Sequence, residues 1–367
     1  MAGCTDADED ALRPQAGSET VAALVGDDLA HALYLAALAP SSHNIQPWRV
    51  DLRSMHRWEI GCSPSRRLPA VDPGNREPIL SLGAFLENLL VAAAARGHQG
   101  EYRVLAAQTT DPVILEVEWR RAPAREYPLA RIAERRTLRG GYQNRPLSAD
   151  DFAFVAEGLP ECLYMPAGSA ESNYLAESTI AAMRGQSERD PPQRELAEWI
   201  RWSPAAQRRH RDGLTPASME IDGVAGWYVS RFYSARSVLT EDFRKSGVDQ
   251  AAKQARAGAG WIVMTSPDAS IASLIESGRQ FERLALRVRE RGIALQPMTQ
   301  MLQELPWRDA VAGHLGTSAP VQWILRVGYC ERYPGPVSPR LPVTAFVRAS
   351  PEAPWTNVAS NDSQVRR

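Results

Sequence analysis

The sequence predicts an α+β fold made of two unequal halves of one chain, and three observations lead there. Residues 76–96 and 271–291 read as long helices with wide apolar faces. Each is preceded and followed by short strand-like runs, so the same coarse pattern occurs twice. Between them, residues 120–128 are charged and proline-containing, and the pattern restarts after that stretch. At 367 residues the chain has room for two ordinary domains or one large one. The resulting division is a tail at 1–22, a first half at 23–125, a second half at 126–345 and a tail at 346–367. Both tails are expected to be disordered, the first because acidic and small residues dominate it.

In the first half, Asp27 or Asp28 caps a helix running to about Leu38, with Leu29, Leu33, Ala36 and Ala37 on one face. Pro40 stops it, since proline has no N–H and clashes with the preceding turn. Ser41, Ser42, His43, Asn44 and Gln46 crowd the loop that follows, and Pro47 ends it. Trp48, Val50 and Leu52 then alternate with polar residues as a half-buried strand does, and 58–61 completes a hairpin. The helix at 76–96 presents Ile79, Leu82, Leu86, Leu89 and Ala93, and Gly97 ends it. Apolar over so wide an arc, it belongs at a centre. Strands at 102–105 and 113–119 follow.

In the second half, a short helix at 129–136 runs into Arg135, Arg136, Thr137, Leu138 and Arg139, and Ser148 opens another with a capping-box-like arrangement. Residues 185–216 are rich in Arg, Glu and Pro, with Trp199 and Trp202 interleaved. That irregular segment reads either as a lid or as a solvated excursion. Residues 260–265 form a buried strand, the long helix at 271–291 ends at Gly292, and residues 293–298, including Gln296, Pro297 and Met298, are a turn leading away. A last strong strand occupies 321–327. The proline-rich run 334–342 must lie extended over another surface.

Composition narrows the function. A net charge of −1 gives no electrostatic case for nucleic acid or an anionic membrane. Cys4, Cys62, Cys162 and Cys330 include no C-x-x-C, and the six histidines make no H-x-x-x-H pair, so neither zinc nor a disulfide framework is indicated. No apolar run is read as approaching the roughly 20 residues of a membrane span. Met1-Ala2-Gly3-Cys4 resembles the end of a bacterial lipoprotein signal, but without a basic or hydrophobic region ahead of it. A cytoplasmic protein is therefore expected; the alternative is an exported lipoprotein anchored at Cys4 after removal of an upstream signal.

The loop after Pro40 aims neutral hydrogen-bonding groups at one spot, which suits a flat heterocycle better than a metal or a phosphate alone. Ala39-Pro40-Ser41-Ser42-His43-Asn44-Ile45-Gln46-Pro47-Trp48 resembles the A-P-S-x-x-N-x-Q-P-W signature of the FMN-dependent nitroreductase superfamily. Roughly residues 25–345 resemble its Acg-like branch, in which two nitroreductase-type halves are fused. The resemblance implies a three-layer α+β sandwich that normally dimerises around FMN, here duplicated within one chain as a monomeric pseudo-dimer. Arg135, Arg136, Thr137 and Arg139 resemble the family's R-R-S-x-R element, whose arginines reach the phosphate and the pyrimidine edge. Those roles make physical sense, because a phosphate dianion needs guanidinium forks and a reduced ring gains negative charge. Arg340 matches the basic residues that finish the phosphate site, with the usual pair reduced to one. Gln296, Pro297 and Met298 lie where relatives run backbone along the ring's hydride-accepting edge.

Each element occurs once. Gly26-Asp27-Asp28 stands where a second basic element belongs, and nothing beyond Ser172-Asn173-Tyr174 approaches a second signature loop. The resemblance thus implies one FMN site at the seam, with Pro40, Ser41, Ser42 and Asn44 from the first half and the arginines from the second. It implies a ping-pong oxidoreductase, in which NAD(P)H reduces FMN and a nitroaromatic, quinone or similar small molecule is the electron acceptor. No side-chain nucleophile is required, and His43 is either a proton donor or a structural turn residue. The alternative from another class is an FMN-holding protein whose lid excludes nicotinamide.

Overall fold

A computed structural model describes residues 18–349. Of the tails expected at 1–22 and 346–367, residues 1–17 and 350–367 lie outside these residues. Inside them, both tail boundaries need correction. Helix α1 (Ser18–Val25) begins within the first expected tail, because Val21 and Val25 bury against α2 (Asp27–Ala36). At the other end β9 (Val347–Ala349) pairs in parallel with β1 (Trp48–Leu52), Val347 opposite Val50. Without it that side of β1 would be a bare hydrogen-bonding edge.

The first sheet has the order β3-β4-β2-β1-β9, with β2 at Arg57–Cys62, β3 at His98–Val104 and β4 at Leu115–Arg121. Across the hairpin, Trp48 faces Cys62 and Leu52 faces Trp58. Helix α3 (Arg76–Ala94) packs its Phe85 against Trp48, ring centroids 5.1 Å apart. The Asp72 carboxylate accepts the Arg76 and Glu77 N–H groups at 3.1 and 2.8 Å and so caps the helix. Contrary to the expectation of no candidate span, α3 is long and apolar enough to cross a membrane. It is buried within the protein, as a central helix is.

After α4 (Ala130–Glu134) and α5 (Ala149–Val155), capped by Ser148 as expected, the chain builds a second, antiparallel sheet. Its order is β5-β6-β8-β7, from Cys162–Pro166, Gly260–Thr265, Val321–Tyr329 and Ile293–Pro297. The stretch expected to be a turn leading away is thus the edge strand β7, with Leu295 opposite Val327. Its alternation was hidden because Ile293, Ala294, Leu295 and Gln296 are all buried.

The other central helix is α12 (Ile271–Arg287). It crosses α3 with backbones in contact: a Cβ on Gly278 would lie 2.1 Å from the Leu80 carbonyl oxygen, and one on Gly83 2.2 Å from that of Ile275. Leu274 and Ile275 complete the core under the first sheet, while Phe281 and Leu284 complete that under the second. A helical layer therefore lies between two sheets. The outer face of the second sheet is covered by α6 (Ala170–Glu188), α11 (Glu241–Ala255), α13 (Gln300–Gln303) and α14 (Trp307–His314).

Residues 185–216 are helical rather than irregular. Beyond α6 come α7 (Asp190–Trp199) and α8 (Pro204–His210), then α9 (Gly223–Phe232) and α10 (Ala235–Val238). Trp202 is buried in a small core with Ala197, Ile200, Val229 and Val238. Most of the charged residues of this segment face outward and mask that pattern, while Glu195 and Asp212 are buried.

Candidate functional site

The loop between α2 and β1 is fixed by its own hydrogen bonds. Ser41 Oγ accepts the Gln46 N–H at 2.9 Å, and the Asn44 and Ile45 N–H groups close a short turn onto the carbonyls of Ser41 and Ser42. His43, Asn44 and Gln46 take φ values of 49°, 54° and 51°, left-handed conformations that only surrounding contacts can hold in place. On the facing wall α4 ends as Arg135 turns extended, and residues 135–139 run out as unpaired chain. The loop, this arginine segment, the turn after β7 and the arm 336–340 enclose a cavity of 320 Å³. Pro192, Gln193 and Leu196 of α7, with Leu214 and Ser218, roof it.

That cavity brings together Pro40, Ser41, Ser42, His43 and Asn44 with Arg135, Arg136, Thr137, Arg139, Pro297 and Arg340. Asn44 and Arg136 therefore share one cleft. Two expected residues do not reach it. Gln296 accepts from Arg326 at 2.6 Å and donates to Gln254 at 2.9 Å, while Met298 packs in the core behind the sheet. Both are diverted because β7 is a strand, which points alternate side chains to opposite faces.

The four arginines differ in their partners. Arg135 donates to the Leu38 carbonyl at 3.3 Å and lies 3.5 Å from the Glu282 carboxylate. Arg340 donates to Asn44 Oδ1 at 2.8 Å and to the Leu38 and Ala39 carbonyls at 3.1 and 3.3 Å. Arg136 donates one bond to Gly335 O at 2.7 Å, and Arg139 one from Nε to Ser218 O at 3.1 Å. Glu220 stands behind this pair, 4.0 Å from Arg136 and accepting the Arg139 backbone N–H. Burial pulls both guanidinium pKa values below their usual range and Glu220 pulls them back; both stay cationic at neutral pH.

Burial also pushes the Glu282 carboxyl up to about 7, against the pull of Arg135. It lowers the His43 pKa, against Glu77, so that imidazole is neutral at pH 7. Glu77 faces the cavity and accepts from the Ser42 hydroxyl and the Gln303 amide. Phe281 and Trp323, stacked at 4.1 Å, add a flat apolar wall. Sequence reasoning missed Glu77, Gln193, Gln303 and Trp323. For Glu77 a signal existed, since a carboxylate in the first turn of an otherwise apolar helix faces whatever abuts that turn. For the others there was none, because they arrive from segments more than a hundred residues away.

The donor set fits FMN chemically. Guanidinium groups with the Thr137 and Ser338 hydroxyls suit a phosphate, and the aromatic and aliphatic walls suit a planar ring.

Comparison with known proteins gives consistent relatives. No family model matches the chain. A Mycobacterium tuberculosis protein provisionally named NAD(P)H nitroreductase acg is 26% identical over 330 residues, covering 86% of this chain and 94% of that protein. Rv3131 of the same species, also provisionally named an NAD(P)H nitroreductase, is 25% identical over 84% of this chain and 86% of its own length. PigM of a Serratia species, named a probable NAD(P)H nitroreductase, is 24% identical over 77% and 83%. Among solved structures, the FMN-dependent nitroreductase NfnB of Mycobacterium smegmatis in complex with NADPH covers 60% of this chain and 96% of its own. Its TM-score is 0.35 at 17% identity, a superposition too loose to support any inference.

Proposed function

We propose that this chain, a member of the nitroreductase superfamily, is an FMN-dependent NAD(P)H oxidoreductase with one cofactor site, at the seam of its two halves. The observation that carries this is the single cleft shared by the first-half loop and the arginines of the second half. FMN, when bound, supplies ping-pong hydride transfer from NAD(P)H to a nitroaromatic, quinone or similar acceptor. Arg136 and Arg139 hold the anionic groups, because each uses one side-chain bond to the protein and has further N–H donors to offer. Phe281 and Trp323 pack a ring and exclude water. His43, neutral and lining the cleft, hydrogen-bonds a ring rather than carrying charge. The chain acts as a monomer, since both walls of the cleft are its own.

Flavin quantitation on freshly purified protein tests this reading: one FMN per chain is expected, and two, or none after incubation with FMN, overturn it. Rapid mixing with NADPH should then bleach the flavin band. A second reading, an FMN-holding protein closed to nicotinamide, is supported by how firmly the roof is bolted down. The Glu195 carboxylate of α7 accepts the Ala70 and Val71 N–H groups at 2.8 and 3.2 Å, and Asp212 pairs with both Arg66 and Arg201. Flavin that stays oxidised in NADPH decides for that alternative.

A further inference from the structure

The carboxamides of the signature loop are taken up by the protein itself. Asn44, only 7% exposed, donates from Nδ2 to the carbonyls of Gly213 and Pro339 at 3.1 and 3.0 Å, and its oxygen accepts from Arg340. A primary amide has two N–H groups, so both donors are in use and the acceptor already holds a cation. Gln46, fully buried, donates to Arg211 O and accepts the Leu341 N–H, both at 2.9 Å. The Gly213 N–H returns a bond to Asn44 O at 3.1 Å. Each of these residues thus grips the same two segments, the base of the roof at 211–213 and the C-terminal arm at 339–341.

Arg340 follows the same logic. Its two terminal nitrogens donate to Asn44 Oδ1, Pro339 O, Leu38 O and Ala39 O, the last two at the end of α2. A cation is favoured at that helix end. We infer that Asn44, Gln46 and Arg340 form a clamp of positioning residues that fastens roof and arm to the loop, leaving Arg136 and Arg139 to bind the anionic ligand. This rests on the proposed FMN site only for the identity of that ligand.

The test compares FMN with riboflavin, which has the same ring and no phosphate, by fluorescence titration of flavin-stripped protein. Arg136→Ala should lower FMN affinity by about 10–100-fold, the loss of one charge-assisted bond, and leave riboflavin affinity unchanged. Asn44→Ala and Arg340→Gln should lower both affinities by the same factor. Amide hydrogen exchange on the full chain supplies the second readout: Gln46→Ala and Asn44→Ala should speed exchange at Gly213 and Leu341, and not in the central helices. Should Arg340→Gln fail to fold, Asn44→Asp serves instead. It keeps the acceptor for Arg340 and drops the two donated bonds, so exchange at Gly213 should still rise. Selective loss of FMN over riboflavin in Arg340→Gln, or unchanged exchange at both amides, overturns the clamp. Wild-type protein that binds neither flavin removes the proposed function, while the exchange measurements still judge the clamp on their own.

Discussion

The loop at 39–47 and the segment at 135–139 line the same cavity, yet their polar groups are committed differently. In the loop, Ser41 bonds the Gln46 backbone, Ser42 bonds Glu77, and Asn44 and Gln46 bond the roof and the arm. In the arginine segment, Arg136 and Arg139 each give one side-chain hydrogen bond to a carbonyl. A carboxamide is saturated by two or three partners, whereas a guanidinium carries five N–H donors and can serve wall and ligand together. The lesson is that the loop's carboxamides fill their capacity in building the site's shape, and the charged segment keeps capacity for what enters.

The most damaging way to break the comparison is to part the two regions. Gly278→Val puts a Cβ against the Leu80 carbonyl and must push α3 from α12, so a loss of about 3 kcal/mol or more is expected, read as a collapsed Tm with loss of flavin. A near wild-type Tm would mean that the helix crossing does not hold the cavity together.

A subtler change asks whether Arg135 sits with the structural arginines. Glu282 has its folded pKa raised from 4.5 to about 7, so folding favours the protonated form. Its stabilising contribution is complete below pH 4.5 and lost as pH rises through about 7. Across that window the wild type should lose up to about 3 kcal/mol that Glu282→Gln does not lose. Thermal melts at pH 5 and pH 8 should therefore shift in the variant's favour at the higher pH; a constant difference refutes it.

Arg139→Ala should weaken flavin retention by about 1.5–3 kcal/mol without lowering the Tm of flavin-free protein, as equilibrium dialysis would show. Smallest of all, Ser42→Ala should cost about 1 kcal/mol of stability through its lost bond to Glu77, with flavin affinity nearly unchanged. A large affinity loss there would return the loop hydroxyls to the role of ligands.

Much of this was legible in the chain. The apolar arcs of 76–96 and 271–291 announced two central helices, and Pro40 with Pro47 bounded the loop correctly. The cavity does gather the loop and the arginines. What was illegible came from long-range pairing. β7 looked like a turn because it is buried on both faces, and β9 looked like tail because three residues carry no period. The helical roof was hidden by charges most of which face solvent while Trp202 and Val238 face inward.

The sequence alone determined the two central helices, the proline-bounded loop and which segments carry charge, because local periodicity and proline placement act within a few residues. Only the tertiary structure decided which polar groups remain available to a ligand. That depends on partners such as Gly213, Pro339 and Leu341, which lie 169 to 295 residues from the side chains they saturate. Hydrogen-bonding capacity is finite, and its use is settled only when distant segments meet.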